Sequence, residues 1–188
     1  SDADNPGMSE VWFSLLKLRP DGSLRVKRTQ KISESAVRIT NPTIVYNKDD
    51  KEFLAAWISA NPANASPANE DTIEVNTCRI SARGKVLAVA VIYTAVVIAQ
   101  YFNPTLYYMH EALVGPQAAR FMLFFGCRGA LGGLYLMYLN ALGQALSDPD
   151  RVMEGELHNG QFWEILPDSV VAGPGNVILL GITIMAFL

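Results

Sequence analysis

Basic residues are almost missing from the second half of this sequence. Of the 15 lysines and arginines in the 188-residue chain, only Arg120, Arg128 and Arg151 follow Lys85. A nucleic-acid-binding surface needs clustered lysines and arginines, so this half does not supply one. The first 85 residues carry basic and acidic side chains in nearly equal number. No nucleic-acid partner is therefore expected.

Cysteine and histidine are also rare. Cys78 and Cys127 are the two cysteines, and His110 and His158 are the two histidines. One thiol lies in a polar stretch and the other in an apolar run, which argues against a disulfide or a structural metal site. The motifs of P-loop nucleotide binding, zinc proteases and haem attachment are missing as well. We therefore predict no catalytic residue and no metal site, and expect a protein that is not an enzyme by itself.

What the second half does contain is long apolar runs, over residues 86–102, 118–146 and 170–188. The first run holds 17 residues without a charge, and a helix of that length rises roughly 25 Å, close to the thickness of a bilayer core. A buried β-strand is the alternative, but strands rarely exceed about 10 residues. The predicted fold is an α-helical membrane protein with about three transmembrane helices, in a membrane domain of residues 86–188.

The first 85 residues predict a small α+β extramembrane domain. Pro-Asp-Gly at 20–22 is typical of a turn, because proline presets φ and glycine accepts positive φ, so residues 9–30 are predicted to form a β-hairpin. Two aspartates precede residues 51–60 and can cap a helix there. Alternating apolar and polar residues over 72–80 predict a strand.

Charge around the first apolar run predicts an orientation. Arg79, Arg83 and Lys85 precede it, whereas residues 103–117 contain no lysine or arginine. By the positive-inside rule, the N-terminal domain faces the stromal or matrix side of an organellar membrane. We favour the thylakoid membrane slightly over the mitochondrial inner membrane.

Arg128 is the most informative single residue of the apolar runs, because a guanidinium inside a membrane span costs about 2.5–3.5 kcal/mol. Three explanations stay open: the side chain reaches the membrane interface, pairs with a partner subunit or cofactor, or lines a polar transport path. His110 lies in an aromatic stretch between two predicted spans, where an imidazole could ligate a pigment metal or haem. With Asn140, these residues form the candidate cofactor-binding set, for chlorophyll, carotenoid or lipid.

Glycine is concentrated in the second apolar run. Small residues let a neighbouring helix or a flat cofactor approach closely in a membrane. The candidate partner-packing residues are Gly126, Gly129, Gly132 and Gly133.

Six acidic residues crowd the segment after this run. No spacing among them matches a known cation-binding loop, so a solvated acidic loop that faces a partner is the favoured interpretation. They are Asp148, Asp150, Glu154, Glu156, Glu164 and Asp168.

These features together predict a non-catalytic accessory subunit of a large energy-transducing membrane complex, a photosystem or a respiratory complex. Its role would be to stabilise assembly and to seat lipids or pigments, with other membrane subunits as its partners. The alternative hypothesis is a subunit of an oligomeric transporter or channel with a polar path near Arg128.

Overall fold

In a computed structural model, the chain is built from β-strands. The structure describes residues 9–34, 38–39, 42–61, 71–97, 101–109, 119–127, 132–154, 157–158, 161–172 and 178–186. Throughout these ranges the sheets are antiparallel and no helix is present. It follows that none of the described ranges supplies an apolar helix able to cross a membrane.

The strands of the described ranges are numbered in chain order. They are β1 Trp12–Leu18, β2 Leu24–Lys31, β3 Arg38–Ile39, β4 Thr43–Asn47, β5 Glu52–Asn61, β6 Asp71–Ser81, β7 Val86–Val97, β8 Tyr101–Tyr108, β9 Phe121–Cys127, β10 Gly133–Leu139, β11 Asp150–Glu154, β12 Leu157–His158, β13 Gln161–Ala172 and β14 Ile178–Ala186.

Two meanders form the centre of the structure. In sheet 1, β4 and β3 both pair with one edge of β5, and β6 and β7 follow on its other side. In sheet 2, β8, β9, β10 and β11 pair in chain order. The N-terminal hairpin β1–β2 precedes sheet 1, and the C-terminal hairpin β13–β14, with β12 paired to β13, follows sheet 2.

Sheets 1 and 2 are copies of one structural unit. Residues 41–46 read Asn-Pro-Thr-Ile-Val-Tyr, and 62 positions later residues 103–108 read Asn-Pro-Thr-Leu-Tyr-Tyr. The second and third strands of each sheet also pair in the same register, since Phe53 faces Ile80 in sheet 1 and Phe121 faces Leu139 in sheet 2. An internal repeat of about 60 residues therefore organises the chain.

The same turn occurs three times in the described ranges, at Gly22, Gly84 and Gly143, with φ of +81°, +77° and +72°. Each glycine N–H donates to the carbonyl three residues earlier, over 3.0, 2.8 and 3.0 Å respectively. A turn that ends on a left-handed glycine is a common three-residue hairpin connection. Because the same turn follows the first strand of each pair, β1–β2 corresponds to β6–β7 and to β10–β11. Each of these pairs forms the last two strands of a repeat.

The C-terminal hairpin corresponds to the first two strands of a repeat. Strand β8 contacts β4 and β5 of the sheet before it, and β13 contacts β8 and β9 in the same way. The described chain thus runs through the second half of one repeat, two complete repeats and the first half of another.

Hydrophobic clusters fill the space between successive layers. Val11 and Ile32 of the N-terminal hairpin pack with Trp57 and Ile80 of sheet 1. On the other side of sheet 1, residues such as Leu54 pack with residues of sheet 2 such as Leu123 and Met137. Phe124 and Leu134 form a third cluster on the far side of sheet 2. We call the side of a sheet toward its N-terminal neighbour the preceding face and the opposite side the following face.

The predicted α-helical membrane fold is wrong. The run 86–102 contains β7 and the start of β8, and the run 118–146 contains β9 and β10. The run 170–188 contains the end of β13 and all of β14. Seven of the twelve residues of β7 are Val, Ile or Thr, and β-branched side chains fit a pleated sheet better than a helix. Burial between layers, rather than contact with lipid, accounts for much of the apolar composition of β9 and β10.

The helix predicted over residues 51–60 is also wrong, because this segment is strand β5. Leu54 and Trp57 are buried on opposite faces, in two different clusters. A strand covered on both faces lacks polar alternation and is easily mistaken for a helix. The predicted hairpin and the strand over 72–80 are present as β1–β2 and β6. The predicted boundary after residue 85 lies in the turn between β6 and β7, which pair with each other.

Candidate functional site

Of the three residues predicted to bind a cofactor, only Asn140 lies in the described part of the chain. His110, Arg128 and Gly129 lie outside the described residues. Asn140 lies just after β10, whereas Gly133 is its first residue. At about 3.3 Å per residue, these two positions are roughly 23 Å apart along the strand. Cofactor binding by His110, Arg128 and Asn140 stays a prediction.

Asn140 shapes a turn. Its Oδ1 accepts hydrogen bonds from the backbone N–H groups of Leu142 and Gln144, at 2.9 and 3.0 Å, and its Nδ2 donates to Gln144 Oε1 at 3.0 Å. An asparagine that bonds the backbone two residues on is a standard turn former. The side chain is therefore engaged within its own hairpin.

The glycines of the second apolar run belong to paired strands. Gly126 faces Leu134 across β9 and β10, and Gly132 directly precedes β10. At Gly133, with φ of +151°, an added Cβ would collide with the carbonyl oxygen of Met153. Gly133 thus permits close approach of β11 within the sheet. Packing of these glycines against a partner stays a prediction.

A polar contact joins the two sheets at one end. The Tyr108 hydroxyl, on β8, donates a hydrogen bond to the Asp49 carboxylate in the turn between β4 and β5. Burial and this carboxylate raise the pKa of Tyr108 to about 12. The buried Thr77 hydroxyl makes a second link, donating to the carbonyl of Gly143 at 3.0 Å. Both contacts hold neighbouring repeats together.

The two thiols are parts of the hydrophobic clusters. Cys78 lies in the cluster before sheet 1 and Cys127 in the cluster between the sheets. Burial raises the pKa of each thiol to about 11. Neither is a thiolate near neutral pH, so neither is an activated nucleophile. In the described ranges, no three His, Cys, Asp or Glu side chains are grouped to hold a metal ion.

The N-terminal hairpin presents an exposed apolar surface. Leu18 pairs with Leu24 and Leu16 with Val26, so the four side chains share one side of the hairpin. All four are exposed, as is Trp12 on the same strand. We call Leu16, Leu18, Leu24 and Val26 the hairpin face.

The exposure of the hairpin face departs from the repeat pattern. Leu18 stands four residues before its turn glycine, as do Ile80 in sheet 1 and Leu139 in sheet 2. Their relative exposures are 66%, 2% and 0%. The equivalent residues are buried because a preceding layer covers them. The hairpin face is therefore a preceding face that no layer of the described residues covers.

The hairpin is also strongly basic. Residues 12–31 contain six lysines and arginines and one acidic residue, Asp21. One of the six, Lys31, forms an ion pair with Glu10 at 2.8 Å. Lys17 and Arg25 pair with each other between the pairs of the hairpin face, so they lie on the opposite side of the hairpin. The net positive charge of the hairpin attracts an acidic surface at long range.

Taken together, the described ranges form a repeat protein of antiparallel sheets with an exposed apolar surface on its first hairpin. Comparisons with known protein families, with curated proteins and with solved structures found no match.

Sequence reasoning missed this surface, although two signals point to it. Leu-Arg-Val-Lys-Arg over 24–28 alternates apolar and basic residues, as an edge strand with one apolar side should. The recurrence of Asn-Pro-Thr at 41 and 103 marks the repeat. Aligning the repeats would have exposed the contrast between Leu18 and its buried equivalents.

Proposed function

We propose that this chain is a non-catalytic protein-interaction module that binds an apolar, acidic protein surface through the hairpin face. The observation that carries the proposal is the exposure of Leu16 and Leu18, whose equivalents are buried in both complete repeats. Contiguous exposed apolar residues with a polar rim are typical of protein-binding surfaces.

Charge and shape support the same role. Lys17 and Arg25 are exposed on the side of the hairpin opposite the hairpin face. They contribute to a net positive charge that attracts an acidic partner to the hairpin, while the four apolar side chains supply the area to be buried. A flat two-stranded surface suits another sheet better than a small ligand.

The proposal keeps one part of the accessory-subunit hypothesis. A subunit that stabilises a larger assembly needs an interaction surface, and the hairpin face provides one. The predicted helical spans are not part of the proposal, because those runs contain strands. The organellar location and the pigment or lipid ligands stay predictions.

Photo-crosslinking tests the proposed function. Benzoylphenylalanine introduced at Leu16 should give a discrete adduct in an extract of the cells that naturally make the chain, with both partners identified by mass spectrometry. The same group at Val89, which is equally exposed on β7 of sheet 1, is the matched control. Equal or absent adduct formation at both positions would refute an interaction role for the hairpin face.

A further inference from the structure

Strand β7 is an apolar strand at the edge of sheet 1. Among the described strands it pairs with β6 alone, so one of its two edges has no strand beside it. Alternate residues of a strand direct their backbone N–H and C=O groups to opposite edges, and about half of the residues of β7 therefore turn theirs away from β6. A row of such groups is a template on which another strand can pair.

The two strands that correspond to β7 carry charges that oppose such pairing. Strand β2 contains four lysines and arginines among its eight residues, and β11 contains two acidic residues and one arginine among its five. Charged side chains on an edge strand discourage its pairing with another chain. The 12 residues of β7 include no charged side chain. Of these three strands, β7 alone therefore lacks this protection.

The exposed part of β7 is a short run centred on Val89. All five residues of 87–91 are exposed, and the residue on either side of the run is partly buried. The large side chains of the run are Leu87, Val89 and Val91, with exposures of 41%, 51% and 51%. Exposed apolar side chains thus lie on the same strand as an open backbone edge.

This run is complementary to a second copy of itself. When two identical strands pair antiparallel about a two-fold axis at Val89, that residue faces its own copy and Leu87 faces the partner's Val91. Apolar side chains then meet apolar side chains, whereas a charged strand would place like charges opposite each other. The absence of charge offers a charged partner nothing to recognise and leaves no repulsion between identical copies. The run therefore favours a second copy as its partner.

We propose that two copies of this chain associate through β7, which pairs antiparallel with the same strand of the second copy around Val89. Sheet 1 of each copy then continues into sheet 1 of the other. The contact uses the same edge on both copies, so it closes after two copies and gives a dimer and not a polymer. The residues involved are separate from the hairpin face, and the inference does not rest on the proposed function.

Sedimentation equilibrium of the purified full chain is the first test, with an expected mass of twice 20.6 kDa. Concentrations up to about 0.1 mM are needed, because a contact between one pair of strands is small. Val89→Glu with Val91→Glu should raise the dissociation constant at least about tenfold, since like charges then meet at the two-fold axis. Leu16→Glu with Leu18→Glu, at two exposed apolar residues of β1, is the matched control and should leave the dimer intact. A monomeric wild-type chain, or a dimer weakened equally by both variants, would overturn the proposal.

A charge-swap experiment tests the two-fold geometry. Val89→Glu and Val89→Lys should each weaken the dimer, because residue 89 faces its own copy. An equimolar mixture of the two variants should form heterodimers, in which opposite charges face each other, and this recovery shows that both variants are folded. If the mixture associates no better than either variant alone, residue 89 does not lie at a two-fold axis and the proposal is wrong.

Hydrogen–deuterium exchange tests whether the contact is strand pairing. Backbone amides at an open edge exchange readily, so exchange over residues 86–97 should slow as the concentration of the wild-type chain rises. Residues 150–154 form the charged edge strand β11 and are the matched control, for which no change is expected. Concentration-dependent protection at β11 in place of β7 would overturn the proposal.

The cross-linkers at Leu16 and Val89 keep this proposal apart from the hairpin-face proposal. The Val89 adduct should contain a second copy of this chain, and the Leu16 adduct should contain a different protein, which mass spectrometry distinguishes. A Val89 self-adduct without any Leu16 adduct would refute the hairpin face and support the β7 contact. A Leu16 adduct without a Val89 self-adduct would refute the β7 contact and leave the hairpin face standing.

Discussion

Replacing the turn glycines by alanine, one repeat at a time, tests the repeat description quantitatively. All three have φ between +72° and +81°, so each substitution meets the same backbone strain. Their surroundings differ: an added Cβ has no neighbour within 4 Å at Gly22, lies 3.1 Å from Leu15 Cδ2 at Gly84, and lies 2.6 Å from Leu54 Cδ1 at Gly143. The series therefore separates backbone strain from packing between sheets.

The expected losses of stability are graded. A left-handed alanine costs roughly 1–2 kcal/mol, partly offset by reduced freedom of the unfolded chain, so Gly22→Ala should cost about 1 kcal/mol. Leu15 lies on the partly covered hairpin and can move, so Gly84→Ala should cost only slightly more stability than Gly22→Ala. Leu54 is 1% exposed, and overpacking a closed core adds about 1–3 kcal/mol. Gly143→Ala should therefore cost roughly 2–4 kcal/mol.

Urea denaturation, followed by tryptophan fluorescence and circular dichroism, measures the three values at a common slope. Combining Gly143→Ala with Leu54→Ala should cost less than the sum of the single changes, because the smaller side chain removes the collision. Equal losses at Gly22 and Gly143, or strict additivity in the double variant, would refute the packing of the third turn against Leu54.

Two further predictions concern buried and inter-sheet polar groups. In the folded protein, the pKa of Cys78 and of Cys127 is raised from 9.0 to about 11. As pH rises, the thiols of the unfolded chain therefore lose their protons before those of the folded chain. The free energy of unfolding should be constant with respect to these thiols below pH 9 and fall between pH 9 and 11. The midpoint of urea denaturation against pH measures this fall, and serine at both positions should reduce it. Tyr108→Phe removes the hydrogen bond to Asp49 and should cost about 1 kcal/mol. In a double-mutant cycle with Asp49→Asn, a zero interaction energy would contradict that link between the sheets.

Local turn chemistry was the part of the fold that the sequence predicted well. Pro-Asp-Gly at 20–22 marked the first hairpin because proline and glycine act on the backbone through φ alone, whatever surrounds them. The turns at Gly84 and Gly143 carry weaker signals, since Ser-Ala-Arg-Gly and Asn-Ala-Leu-Gly have no proline. Only comparison of the three turns shows that they are one motif.

The long apolar runs led to the wrong fold because an apolar composition indicates that a segment is buried, but not whether it is a helix or a strand. Strand β7 has 12 residues, longer than most strands, and β5 is covered on both faces. Both properties remove the period-two pattern by which a strand is usually recognised. The β-branched content of β7 was the available signal against a helix, and length was given more weight.

The candidate site residues were chosen for roles in membrane-spanning helices, and those of them that the structure describes lie in or beside strands. Asn140 looked like a polar group in an apolar span but forms a turn. Gly133 looked like a helix-packing residue but accommodates a neighbouring strand. The acidic segment 148–168 was predicted to face a partner, and this stays a prediction.

The alternation of side chains between preceding and following faces has a consequence for how this protein can change in length. Inserting one residue inside a strand such as β5 would exchange its two faces, placing Leu54 where Trp57 packs now. Duplicating or deleting a whole unit of about 60 residues would instead preserve every interface, because each sheet meets the same two kinds of neighbour. Evolution can therefore alter the number of sheets far more readily than the length of any strand within them.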